Sequence, residues 1–309
     1  LLSVDGTPAR VYQQGEIRTL TLPRGLEVRA TAAPLLRSQD CLLGTTPTSP
    51  RSLEPGSYLA LAVHPGWESQ RSFFRLERST DRTIHINLLA QGSTPEGFIY
   101  IPDTKPFWIQ EREVTCQEYA PFLSVLSVSE RRIHLPIGWN LQPNGRVVLP
   151  KNWRLDWPTL GVLWQGAVNY ARWKTLLSQQ AGRNEIYRLP TYNEWTVAAG
   201  AADGREYPFG NQFRPRWASS NFTHKIPQPD RVLSFPIDQS PYGVYDLSGS
   251  AMEWVDGWWV ENRSRRGCGG SWENGDPRIL RIHGGNGQDP RMTSQMMGFR
   301  LLMERPKVR

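Results

Sequence analysis

In the N-terminal part of the chain, apolar and polar positions alternate in short runs at residues 17–22, 26–30, 58–63 and 73–76. The runs are punctuated by Pro23-Arg24-Gly25, Pro55-Gly56 and Pro65-Gly66. A period of two between proline and glycine stops belongs to half-buried strands, because successive side chains of an extended chain face opposite ways. The pattern predicts a small antiparallel β domain over residues 1–92.

Beyond the Gln91-Gly92-Ser93-Thr94 link the pattern changes. Residues 96–102 and 107–110 read as strands, and helices are expected over 115–126, 164–178 and 191–199. Two of these open with Thr-x-x-Glu, Thr115 with Glu118 and Thr191 with Glu194, the spacing that satisfies two orphan amides at a helix start. From Gly200 onward periodicity fades into Gly, Pro, Asn and Trp. So long an irregular stretch has to be held by packed aromatics or bound ions. Tryptophan usage supports a boundary, since Trp67 stands alone before Trp108 and 12 of the 13 tryptophans follow. The second unit is therefore read as residues 93–309.

Composition narrows the class. No apolar run approaches the roughly 18 residues of a membrane helix, so no transmembrane segment is expected. The chain of 309 residues carries a formal +7, and residues 261–309 hold 10 basic and 5 acidic groups. These arginines are spaced singly among Gly, Asp and Pro rather than clustered with stacking aromatics, which argues against a nucleic-acid partner. Only five of the 36 basic residues are lysine, a skew that fits a GC-rich bacterial gene. Cys41, Cys116 and Cys268 are too few and too scattered for a zinc site and allow at most one disulfide. The five histidines stand singly, and no phosphate loop or nucleophile elbow is present. The opening Leu1-Leu2-Ser3-Val4 is read as the remainder of a processed, exported chain.

A series of motifs follows in order: Glu113-Val114-Thr115 with Tyr119, Tyr187-Arg188-Leu189-Pro190-Thr191 with Glu194-Trp195, and Tyr207-Pro208-Phe209-Gly210-Asn211. Then come Ser240-Pro241-Tyr242-Gly243-Val244-Tyr245-Asp246-Leu247-Ser248-Gly249, Glu253-Trp254, Gly269-Gly270-Ser271-Trp272 and Gly298-Phe299-Arg300. Over residues 95–305 this series resembles the formylglycine-generating enzyme, or sulfatase-modifying factor, family. The resemblance implies an α+β fold like that of C-type lectins, with long irregular loops.

It also implies chemistry. Enzymes of that family oxidise a substrate cysteine with a cysteine pair that holds copper, as soft thiolates suit Cu(I). Here the corresponding positions are Asn274 and Ile279, so the reading is a non-enzyme without a catalytic residue. By the same resemblance Asp246 and Glu253 would give side-chain oxygens to calcium, and Gly249 and Ala251 would give carbonyls, an all-oxygen set that this ion favours. The competing reading is that Asp246 caps a turn and Glu253 pairs with an arginine. A second calcium site of the family would use Asn221 and the Phe222 and Phe235 carbonyls, but its usual acid falls at Leu233.

What remains is a binding or regulatory protein. The C-terminal loops join Trp258, Trp259 and Trp272 to Arg265, Arg266, Arg278 and Arg281, and Trp and Arg are enriched at interface hot spots. Trp272 and these four arginines are taken as the partner-binding set. The combination of features resembles periplasmic regulators upstream of a membrane-spanning Ser/Thr kinase that controls type VI secretion. The expected partner is the kinase's periplasmic segment, met near the membrane, and the expected compartment is the periplasm. The alternatives are a hypervariable receptor of the diversity-generating-retroelement type, for which residues 273–297 are poor in Asn, and an active sulfatase-modifying oxidase.

Overall fold

The computed structural model describes residues 55–62, 66–81 and 89–306, together with the strand backbones Leu2–Ser3, Pro8–Gln13, Leu42–Thr45 and Ile84–His85. In the N-terminal part, β1 (Leu2–Ser3), β2 (Pro8–Gln13), β3 (Leu42–Thr45), β4 (Gly56–Ala62), β5 (Gln70–Leu76) and β6 (Ile84–His85) follow in order. Four of them form an antiparallel sheet in the order β3-β2-β4-β5. The alternation over 58–63 and 73–76 thus corresponds to β4 and β5. The segments 17–22 and 26–30 and Cys41 lie outside the described residues.

The second part is a mixture of helices and sheets, the expected α+β class. It contains β7 (Phe98–Ile101), β8 (Phe107–Gln110), α1 (Cys116–Val125), α2 (Val128–His134), β9 (Asn140–Leu141), β10 (Val147–Val148), α3 (Trp164–Gln180), β11 (Ile186–Arg188) and α4 (Tyr192–Ala199). After a long loop follow β12 (Met252–Val260), β13 (Ser264–Cys268), β14 (Asn286–Gln288), β15 (Met297–Gly298) and β16 (Leu302–Glu304). One sheet runs β11-β16-β8-β7, and a second runs β14-β13-β12-β15. Thr115 and Thr191 cap α1 and α4, with Glu118 and Glu194 completing both boxes. Helix α2 has the same signature in Ser127 and Glu130; its seven residues are too short for a periodic pattern to reveal it.

Two apolar clusters hold the layers together. Around α1 and α3, Tyr119 stacks on Tyr170 at 5.5 Å, and Phe122 meets Tyr170 edge-on at 5.7 Å, with Phe299 beneath. The second cluster gathers Trp195, Val244, Leu247, Cys268 and Leu302, and it admits Leu59 and Phe73 from the N-terminal sheet. Phe73 meets Tyr242 edge-on, and Ser57 Oγ donates to Asp203 Oδ2 at 2.6 Å. Residues 204–251 carry neither helix nor strand, as the loss of periodicity predicts. The β12–β13 hairpin that follows had no strand signal of its own, because its alternation is broken by Gly257 and register shifts. Among the described residues, no helix is long and apolar enough to cross a membrane.

Candidate functional site

The irregular loop and the second sheet meet at a buried charged hub. Asp246 and Ser250 take left-handed backbone conformations, φ 54° and 57°, on either side of Gly249 at φ 101°. A Cβ on Gly249 would lie 1.9 Å from the Ser219 carbonyl oxygen, so only glycine allows this approach. The loop is then pinned, as Gly249 N donates to the Gly269 carbonyl at 2.7 Å and Ser250 N to the Ser219 carbonyl at 2.9 Å.

Four carboxylates converge on this loop from different elements, and all are buried: Glu113 before α1, Asp238 and Asp246 in the loop, and Glu253 on β12. Against them stands the buried guanidinium of Arg300. Its Nε donates to Glu253 Oε2 at 2.7 Å, and its Nη2 reaches Glu253 Oε1 at 2.6 Å and the carbonyls of Tyr245 and Asp246 at 2.8 and 3.0 Å. Nη1 donates to the Gln110 carbonyl at 3.2 Å. Trp195 Nε1 completes Glu253 Oε2 at 2.9 Å. One arginine thus ties the end of β8, the loop, β12 and the chain before β16 into one unit.

The other three acids have fewer partners. Asp246 Oδ2 accepts from Leu233 N at 2.6 Å, Asp238 Oδ2 from Ser248 N at 3.0 Å, and Glu113 Oε1 from Ala251 N at 3.2 Å. Glu113 Oε2 and Asp238 Oδ1 are sealed from water without a hydrogen-bond partner. Burial, reinforced by the Asp246 charge, pushes both Glu113 and Asp238 well above the ordinary carboxylate range. Burial likewise lifts Asp246 to about 6, against the opposing hydrogen bond from Leu233. Burial alone would lower Arg300, but its pairing with Glu253 leaves it raised. The hub therefore holds more negative than positive charge in a place without solvent, an arrangement that calls for a cation or protons.

This bears on calcium. Among the described residues no three His, Cys, Asp or Glu side chains gather closely enough to form a metal centre by themselves, so an ion here would depend on main-chain carbonyls. Calcium accepts such ligands readily. The excess charge is of the kind a cation offsets, but the two orphaned oxygens belong to Glu113 and Asp238, and both Glu253 oxygens are already held by Arg300 and Trp195, as the competing reading of that residue expected. The second site fits poorly: where the family has its acid, Leu233 sits at φ 63° and offers an N–H to Asp246. Asn221 is exposed and turned to the 271–274 turn, its Nδ2 donating to the Glu273 carbonyl at 3.3 Å. Glu113 and Asp238 were not singled out from sequence as hub members. Glu113 had a signal, its place in the Glu-Val-Thr motif, whereas Asp238 had none.

The positions corresponding to the family's thiols have other roles. Asn274 Oδ1 accepts from Ser271 N at 2.8 Å and Ser271 Oγ at 3.0 Å, closing a turn. Ile279 packs against the first apolar cluster. Cys116 and Cys268 are free, buried and in different clusters; burial pushes the Cys116 thiol up to about 12 and the Cys268 thiol higher than its usual value.

The partner-binding set divides. Trp272 is 7% exposed, packs on Leu160 and Ala251 and donates Nε1 to the Gln295 carbonyl, so it belongs to the core and leaves the surface set. Arg265 lies flat between Trp164 and Trp258, 3.8 and 3.7 Å from the ring centroids, with Asp256 at 3.5 Å. Arg266, on the other face of β13, lies between Tyr192 at 3.8 Å and Trp259 at 4.5 Å. Arg278 is paired with Asp276 at 2.8 Å and Arg281 with Glu206 at 3.1 Å. Trp258, Trp259 and Val260 at the end of β12 are exposed. The stacking partners Trp164 and Tyr192 are far away in sequence, which is why sequence spacing did not reveal them.

A profile of the sulfatase-modifying factor enzyme 1-like domain matches residues 92–305. Among curated proteins, the chain is 30% identical over 164 residues to the inactive C-alpha-formylglycine-generating enzyme 2 of Bos taurus, covering 48% of this chain and 50% of that protein. It is 32% identical over 117 residues to the formylglycine-generating enzyme of Thermomonospora curvata, covering 34% and 35%. It is 35% identical over 103 residues to the serine/threonine-protein kinase pkn1 of Chlamydia caviae, covering 33% and 14%. The chain thus spans half or less of the length of these relatives. Among solved structures, PvdO from Pseudomonas aeruginosa superposes with a TM-score of 0.50 at 23% identity, covering 67% of this chain and 90% of that one. That is a likeness of fold.

Proposed function

Because this chain belongs to the sulfatase-modifying factor enzyme family yet carries Asn274 and Ile279 where the family's copper thiolates stand, we propose that it is a non-catalytic regulatory protein that binds a partner protein. The observation that carries this reading is the chemistry of those two positions: one is an amide closing a turn, the other a half-buried aliphatic side chain packed against the core. Neither can ligate Cu(I) as a thiolate does, and the two described cysteines are buried apart from each other. A relative named inactive is compatible with the same reading.

The finer reading is a periplasmic regulator that promotes signalling through a transmembrane Ser/Thr kinase controlling type VI secretion, a role like that of the regulator TagR. A kinase-named relative that contains a similar segment supports a kinase context. The decisive experiment adds the purified chain to membrane vesicles carrying the candidate kinase and follows threonine phosphorylation. A parallel arm incubates the chain with Cu(I) and a cysteine-containing sulfatase peptide. Stimulated phosphorylation without aldehyde is the expected result. Aldehyde on the peptide would overturn the non-catalytic reading, and unchanged phosphorylation would overturn the kinase.

Calcium is the proposed cofactor. Asp246 and Glu253 would hold it with the Gly249 and Ala251 carbonyls, and when bound it would supply positive charge to a hub otherwise too rich in carboxylates. Its role is structural, holding the loop that Gly249 pins to residue 219. Excess calcium should raise the melting temperature by mass action on the folded state, an effect that Asp246→Asn should remove. A melting curve indifferent to calcium and chelator would exclude it.

A further inference from the structure

Arg266 stands apart from its neighbours on β13 and the adjoining loops. Arg265 has the Asp256 carboxylate at 3.5 Å, Arg278 has Asp276 and Arg281 has Glu206. No carboxylate is paired with Arg266 among the described residues; its Nε, like those of Arg265 and Arg281, is sealed from water without a hydrogen-bond partner. Its plane is nonetheless fixed by Tyr192 on α4 at 3.8 Å and Trp259 on β12 at 4.5 Å.

The clamp has supports of its own. Tyr192 Oη is hydrogen-bonded to His283 Nδ1 at 3.0 Å. Gly287 of β14 is in register opposite Arg266, and a Cβ there would lie 2.5 Å from Trp259 Cδ1, so glycine makes room for the indole. The two rings flank the guanidinium, and with Nε sealed from water the terminal Nη groups are the ones left for a ligand. An arginine fixed in this way has already lost rotamer freedom, and its fork matches a carboxylate.

We propose that Arg266, held between Tyr192 and Trp259, receives a carboxylate side chain from an acidic segment of the partner protein. This rests on the reading of the chain as a partner-binding protein and adds where and by what chemistry the partner is met. Charge complementarity selects the occupant: Arg265, Arg278, Arg281, Arg291, Arg300 and Arg305 each already meet an acid, whereas Arg266 meets none among the described residues, so the counterpart it lacks is an acid. Trp259 itself is 44% exposed and offers aromatic surface of the kind that anchors interfaces.

The test uses the full chain and a fluorescein-labelled decaglutamate probe, with decaglutamine as the neutral control. Decaglutamate should bind, and Arg266→Gln should weaken it at least tenfold while Arg291→Gln, which removes the same charge from an exposed loop outside the partner-binding set, weakens it less than twofold. Arg266→Lys, which keeps the charge but loses the plane, should also lose most of the affinity, and it serves if the glutamine variant folds poorly. Equal losses from Arg266→Gln and Arg291→Gln would reduce the effect to net charge and overturn the clamp. So would wild-type binding of decaglutamate no tighter than of decaglutamine. Either failure is separate from the kinase and aldehyde assays, which judge the regulatory reading without reference to Arg266.

Discussion

Arg300 and Arg266 are the same side chain in opposite electrostatic settings. Arg300 is buried among four carboxylates and several carbonyls, and the acids outnumber it. Arg266 lies nearer the surface between two aromatic rings, with no carboxylate against it among the described residues. The interior is short of positive charge, and on β13 Arg266 is left without a negative one. A cation completing the first would stabilise the fold, whereas an anion completing the second would come from outside. The contrast separates a charge that the scaffold answers internally from one that it leaves without a counterpart near the surface.

The largest effect that could break this contrast is at Arg300. Arg300→Met leaves Glu253 buried and unpaired, and losing one partner of a buried pair costs about 3–5 kcal/mol, which is a large share of a domain's stability. Urea unfolding should show the loss. Adding Glu253→Gln should restore only part of it, since Glu113 and Asp246 also face the missing charge. Full recovery in the double variant would mean that Arg300 serves Glu253 alone and that the hub is a simple ion pair.

How much of this was legible in the sequence differs by region. The helix starts could be read, because Thr-x-x-Glu is a local device whose partners are three residues apart. The loop from Gly200 was legible as irregular but not as a structure, since its order comes from contacts such as Gly249 against Ser219. The pairing of Glu253 with an arginine was foreseen as one of two readings, but the identity of Arg300, 47 residues away, was not. Trp272 was misassigned to the surface because tryptophan serves in cores and at interfaces alike. Its burial depends on Leu160 and Ala251, which no local pattern connects to it.

A third balance of charge sharpens the comparison. Glu185 is a buried acid surrounded by donors: Ser178 Oγ at 2.9 Å, Tyr187 Oη at 2.9 Å, Arg183 Nε at 3.1 Å and Arg305 Nη2 at 3.0 Å. Burial alone would raise it, but the bonds from Arg305, Ser178, Tyr187 and Arg183 together hold it at about 2. A folded-state value below the unfolded one means stability that is complete above about pH 4.5 and is lost as the pH falls towards 2. Its share should be about 1–2 kcal/mol after allowing for solvent near the arginines. Glu185→Gln should flatten the acid limb of a stability–pH curve by that amount, and an unchanged limb would remove Glu185 from the account.

At the β13 surface, Arg265→Gln should cost about 1 kcal/mol by thermal unfolding, because two ring faces at 3.8 and 3.7 Å lose their cation. Charge reversal at 265 or 266 therefore disturbs packing as well as charge. Neutral replacements are the better probes of binding there. A loss at Arg265 comparable with that at Arg300 would erase the distinction between hub and surface.

The smallest effect is expected at Arg278. Asp276-Pro277-Arg278 and Asp289-Pro290-Arg291 build the same turn, in which the aspartate Oδ1 accepts the arginine backbone N–H at 2.9 Å in both. The guanidinium then folds back on that carboxylate, at 2.8 Å for Arg278, which is 78% exposed. The turn is held by a backbone donor that every residue except proline supplies, and the exposed ion pair on top of it contributes little in water. Arg278→Gln should leave the melting temperature unchanged at any salt concentration, whereas Asp276→Ala, which removes the acceptor of the backbone bond, should lower it measurably. A fall with Arg278→Gln that disappears in high salt would show that the ion pair rather than the turn holds this loop.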